Sequence, residues 1–196
     1  ISNFDKPEDA SCSMLQISDY YNIINNCNFY IANADTSAIK SNIKYMIPEY
    51  AQVQSIRAWA YLQLVKNYGS VPFITKPVNS LGVVKDFDYN ANQATKDNLV
   101  DLLLAEGLEK YVDTKYPSYG NWENGSVSIS SRLCFIPVRL VLGDLYLLRG
   151  ASEGDYRTAA KYYYDYLRTT LSAVTPQYVS ATRSRVSEDG FSYNKL

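Results

Sequence analysis

Apolar positions recur at helical spacing through most of the chain. Tyr20, Ile23, Ile24, Cys27, Tyr30 and Ile31 follow the i, i+3, i+4, i+7 rule and predict a helix over about residues 15–33. Asn22, Asn25, Asn26 and Asn28 fall between them and read as its wetter face. Asp35-Thr36-Ser37 then reads as a turn and a candidate cap for another helix. A second stripe, Val53, Ile56, Ala60, Tyr61, Leu64, Val65 and Tyr68, predicts a helix from Pro48 or just before it to Tyr68. Pro48 suits a first turn and Gly69 a stop. Arg57 interrupts this stripe, which predicts a carboxylate partner in the core or a guanidinium reaching the core's edge. Trp59, in the middle of the same helix, reads as packing rather than ligand contact.

Val71-Pro72-Phe73-Ile74-Thr75 reads as a short extended piece, and residues 76–92 as polar and irregular. A third helix is predicted over about residues 95–111, then a long break from Asp113 to Ser130 holding Pro117, Gly120 and Gly125. A loop of that length inside a compact domain is commonly functional. Residues 131–149 leave almost no polar face and predict a central helix, with Pro137 near its first turn. A fifth helix is predicted over about residues 156–171, with Ala159, Ala160, Tyr163, Tyr164 and Leu167 facing inward. Beyond Thr175 the pattern weakens, with room for one more short helix. Strand signal is slight throughout. The expected fold class is all-α: antiparallel helix pairs in a tetratricopeptide (TPR)-like helical-repeat arrangement with long irregular loops, forming a single domain over residues 1–196.

Composition removes several kinds of chemistry. The 196 residues carry 19 basic and 20 acidic side chains and no histidine. A net charge of −1, with no basic run, argues against nucleic acid as a partner. Without histidine there is no Ser-His-Asp or Cys-His mechanism and no His-ligated zinc or haem. Cys12, Cys27 and Cys134 are widely spaced and contain no C-x-x-C pair. They read as small packed side chains, with room for one disulfide. No catalytic residue, cofactor or metal ligand is nominated, and no pair among the 20 acids suggests a glycosidase. No run of about 18 apolar residues is available to span a membrane.

Tyrosine is abundant: 19, against 6 Phe and 2 Trp. Tyr has an apolar body and a polar tip, which suits half-buried helix faces and sugar-facing surfaces alike. Within the 113–130 break, Tyr116, Tyr119 and Trp122 lie among Asn121 and Asn124. Aromatic faces can stack on pyranose rings while amides bond the hydroxyls, so these five residues are the candidate ligand contacts. Anchoring of the loop by Trp122 and a tyrosine is the competing reading. The 86–92 loop, with Phe87 and Tyr89, is a weaker candidate. Asn124-Gly125-Ser126 formally matches a glycosylation acceptor.

Leu142-Gly143-Asp144-Leu145-Tyr146 has the L-G-x-x-Y core of the tetratricopeptide repeat, with Ala159 and Tyr163 at its small and aromatic positions in the following helix. A more specific likeness lies in residues 56–74, I-R-A-W-A-Y-L-Q-L-V-K-N-Y-G-S-V-P-F-I. This run resembles the R-A-x-x-Y-x-x-L-V-x-x-Y-G-x-V-P signature of the SusD/RagB family. Ser131-Arg132 through Leu147 and the asparagine-rich opening helix add to the resemblance, which spans about residues 20–171. It implies a non-enzymatic, lipid-anchored protein of the Bacteroidetes cell surface. Such proteins bind oligosaccharides, polysaccharides or other nutrients and pass them to a SusC-like TonB-dependent transporter in the outer membrane. Family members are much longer, so the chain reads as the N-terminal, repeat-bearing part of one. Asp9-Ala10-Ser11 makes Cys12 a poor lipid-anchor site, so the anchor is expected upstream, outside this chain. A TPR-like scaffold for protein–protein interaction is the alternative reading.

Overall fold

The computed structural model describes residues 16–117, 119–124 and 127–172. It is mostly helical, with a few short strands. Cys12 and the segment beyond Thr175 lie outside the described residues.

Helix α1 (Ile17–Asn33) is followed by an Asx turn in which the Ser37 N–H donates to Asp35 Oδ1 at 2.9 Å. No helix starts there. A two-rung hairpin follows, β1 (Ile39–Lys40) against β2 (Ile43–Lys44), turned by Ser41 and Asn42 at φ 51° and 61°. Helix α2 (Ile47–Tyr68) holds Pro48 in its first turn and stops at Gly69. Strand β3 (Val71–Pro72) pairs with β4 (Gln93–Ala94), and the one-turn α3 (Leu81–Lys85) lies between them.

The predicted third helix is split. Helix α4 runs only from Leu99 to Ala105, and a 3₁₀ turn follows at Leu108–Tyr111. Gly107 between them sits at φ 85°, a left-handed conformation that ends an α-helix and that other residues adopt only at a cost. The long break contains β5 (Asn121–Asn124) and β6 (Val127–Ser130) in an antiparallel ladder. The predicted fourth helix starts late. Residues Ser131–Cys134 form a 3₁₀ turn, and α5 (Val138–Arg149) begins only after Pro137, the extended N-cap. Proline disfavours helical geometry in the residue before it, so 131–136 cannot continue into α5. Helix α6 (Glu153–Ser172) completes the described chain.

Two antiparallel pairs, α1 with α2 and α5 with α6, share a core through α2 and α5, with α4 against α5. The α5–α6 pair closes at Gly143. A Cβ there would lie 2.6 Å from Tyr163 Cε1, so only glycine permits this approach. Ala159 is buried and the Tyr163 hydroxyl donates to Asp144 Oδ1 at 2.5 Å. Helix α5 packs against α2, α4 and α6, as a helix with so little polar face should, yet Leu147 is 52% exposed. Helix α2 is the more enclosed, buried from Ala51 to Val65 on most of its surface.

That enclosure includes Arg57, which has no exposure. Its guanidinium donates to Asn28 Oδ1 (3.0 Å), Gln54 Oε1 (3.0 Å) and Glu106 Oε2 (2.9 Å), so the predicted carboxylate partner is Glu106 at the end of α4. Trp59 packs against Tyr20 with ring centroids 6.3 Å apart, in keeping with a packing role.

The asparagines of α1 are not all on a wet face. Asn28 is 1% exposed, and its amide donates to the carbonyls of Ile74 and Lys76. Asn25 exchanges two hydrogen bonds with the Val78 backbone, donating to its carbonyl at 3.1 Å and accepting its N–H at 2.7 Å. Tyr21 donates to the Pro72 carbonyl, and the Tyr61 hydroxyl both donates to the Ile74 carbonyl and accepts its N–H. The extended segment 72–78 is therefore strapped to the helices by side chains. Beyond β3 and the Phe73 N–H, which donates to the Asn92 carbonyl at 2.9 Å, side chains satisfy its backbone, and buried backbone groups need partners. Gln52 and Ser55 do the same for Ile136, accepting its N–H at 3.0 Å and donating to its carbonyl at 2.7 Å.

Candidate functional site

The five candidate ligand residues lie in and just before the β5–β6 hairpin, and the structure places them differently. Tyr116 is half-buried and stacks on Phe135, with centroids 5.9 Å apart and planes at 23°. Tyr119 is 64% exposed, tilted against the same Phe135 ring at 6.0 Å, and its hydroxyl donates to Glu49 Oε1 at 3.1 Å. Burial first, and then the Glu49 hydrogen bond, push the Tyr119 hydroxyl above the ordinary phenol pKa and keep it a donor. Trp122, in β5, is 72% exposed. It does not anchor the loop.

Strand alternation separates the polar groups from that indole. Asn121 Nδ2 donates to Ser128 Oγ at 2.9 Å, and Ser128 Oγ donates to Glu123 Oε1 at 2.9 Å. These three form a polar chain on one face of the ladder, and Trp122 points to the other. Asn124 is its last rung, paired with Val127. Tyr116 and Tyr119 are thus brought together on Phe135, and Asn121 is grouped with Ser128 and Glu123. Asn121 and Trp122 therefore do not share a face.

The hairpin is tied to the helices at its base. The Ser131 N–H donates to the Gly120 carbonyl at 3.1 Å, and the Tyr119–Glu49 bond reaches the first turn of α2. Glu49 and Phe135 are the supporting residues that sequence reasoning missed. Ser128 and Glu123 were missed as partners of Asn121. A signal for them exists: two alternating runs flank Asn124-Gly125, a pair typical of tight hairpins.

The second candidate loop is locally ordered. Asp88 Oδ1 accepts the N–H groups of Asn90 and Ala91, and Phe87 meets Tyr89 edge-on at 4.9 Å. Cys27 is buried, and burial pushes its thiol up to about 11, only partly offset by Arg57. Cys134 is exposed, and both are free thiols. Among the described residues no cluster of Cys, Asp and Glu is placed to hold a metal ion, and no helix is long and apolar enough to cross a membrane.

Comparison with known proteins adds no neighbour: no family model, no curated protein and no solved structure matches the chain.

Proposed function

We propose that this chain is the N-terminal, helix-pair part of a SusD/RagB-like protein. In this reading it binds a glycan or other nutrient at the cell surface, beside a SusC-like TonB-dependent transporter, and performs no catalysis. In the same reading a lipid anchor holds the protein at the outer membrane. The observation that carries the reading is the pair of exposed rings, Trp122 and Tyr119, on a hairpin fixed at its base. Large exposed aromatics on a braced element suit stacking on sugar rings, because little motion is lost on binding. The residue 56–74 motif supports the family assignment. The α5–α6 closure at Gly143 and Tyr163 supports a TPR-like arrangement of the helix pairs.

The test is the double variant Trp122→Ala with Tyr119→Ala, measured for retardation in polysaccharide-containing gels and for helicity by circular dichroism. Loss of one stacked ring should weaken binding by about tenfold, from roughly 1–2 kcal/mol of apolar contact. Unchanged retardation with intact helicity would remove the hairpin from the binding site.

A second reading, a helical scaffold for a protein partner, has its own observation. Leu147, Tyr156, Tyr164 and Leu167 are each at least half exposed on the α5–α6 pair. Substituting Tyr164 and Leu167 by serine separates the two, since it should leave sugar binding intact.

A further inference from the structure

Away from the hairpin, α1 and the 72–78 strap border a half-open cleft of about 230 Å³. Ile24, Ile74 and Val78 supply its apolar wall, and Tyr21, Asn22 and Asn25 its polar groups. No charged side chain lines it among the described residues. The cleft is preformed, because the hydrogen bonds from Tyr21, Asn25 and Asn28 fix the strap to the helix.

The amides have capacity left. A primary amide offers two N–H donors and two acceptor lone pairs. Asn25 spends one of each on the Val78 backbone and, among the described residues, keeps one of each. Asn22, exposed one turn earlier on the same side of α1, has no partner among the described residues. Tyr21 donates to the Pro72 carbonyl and keeps a lone pair. Burial, and then the nearby Tyr89, hold its hydroxyl protonated well beyond neutral pH. Tyr89 is itself 42% exposed.

We propose that this cleft is a binding site for one neutral pyranose ring, its C–H face against Ile74 and Val78 and its hydroxyls bonded by Asn22 and Asn25. Neighbouring hydroxyls need donors and acceptors side by side, which two amides one helical turn apart supply. An uncharged lining gives nothing to offset the desolvation of an acid or an ammonium. The volume falls below the roughly 300 Å³ at which sites for larger ligands begin, so the cleft itself holds one ring. A ligand of about a dozen non-hydrogen atoms implies a Kd of the order of 1 mM. The site is separate from the hairpin and does not depend on it.

The test is a titration of the isotopically labelled chain with methyl α-D-glucopyranoside, followed by nuclear magnetic resonance. The side-chain amide signals of Asn22 and Asn25 should shift and saturate in the millimolar range. Asn22→Ala should weaken that response by about fivefold, the loss of one or two modest hydrogen bonds. Asn22 is exposed on a helix, so alanine should not disturb folding. Trp122→Ala should leave the response unchanged. Amide signals that stay still, or drift linearly without saturating, would overturn the proposal. So would an Asn22→Ala response equal to that of the unmodified chain. A sugar that moves only the Trp122 indole signal would remove the cleft and keep the hairpin.

Discussion

Replacing Arg57 by methionine should destabilise the protein out of proportion to one side chain. The methionine restores most of the aliphatic contact but none of the donors. Asn28 Oδ1 and Gln54 Oε1 would then face no donor, in side chains only 1% and 4% exposed. An orphaned buried acceptor costs about 1–3 kcal/mol, so the two together cost about 2–6 kcal/mol. Glu106 adds little in this direction, because its side chain is 35% exposed and water can solvate the freed carboxylate. About 3 kcal/mol in a chain of this size lowers Tm by about 6–12 °C. The reverse change, Glu106→Ala, leaves the enclosed guanidinium with neutral partners only. Breaking a buried pair costs about 3–5 kcal/mol, and water entering where Glu106 stood should bring this to about 2–3 kcal/mol. Urea unfolding followed by circular dichroism at neutral pH reads both. An Arg57→Met variant within 1 kcal/mol of the unmodified chain would refute the reasoning, since the three-way network would then not be holding α1, α2 and α4 together.

Gly143→Ala puts a methyl into the Tyr163 ring and should cost about 1–3 kcal/mol by thermal melting, and the same change made in a Tyr163→Ala background should cost little. In acid, the Arg149 hydrogen bonds and the Ala151 N–H hold the Asp155 carboxyl below the usual carboxylate range. The unfolded chain binds that proton more readily, so this contribution is full above about pH 4 and fades as pH falls through the lowered value. Asp155→Asn should therefore flatten the acid limb of a stability–pH curve, and an unchanged limb would count against the assignment.

Legibility in the sequence depends on the kind of structure. Helix α2 can be read almost to the residue because Pro48, the apolar stripe and Gly69 all act locally. That Arg57 needs a carboxylate is also readable, but not which one, since Glu106 is 49 residues away. Asn25 and Asn28 read wrongly as solvent-facing because their partner, the 72–78 strap, has no periodicity to announce it. Periodicity alone overextends the third helix through Gly107 and begins the fourth before Pro137, where local backbone rules outweigh an apolar run. At the candidate site, the exposed aromatics are legible as residue types. The separation of Asn121 from Trp122 onto opposite faces of the ladder is not, because that requires the hairpin register.

The central claim is that the hairpin's rings meet a sugar. Affinity electrophoresis of the chain through gels containing a panel of polysaccharides tests it most directly, with the Trp122→Ala, Tyr119→Ala variant in the adjacent lane. Retardation by at least one polysaccharide, abolished in the variant, is the predicted result. Migration unaffected by every polysaccharide in the panel would contradict the claim and favour the protein-binding reading of the α5–α6 face.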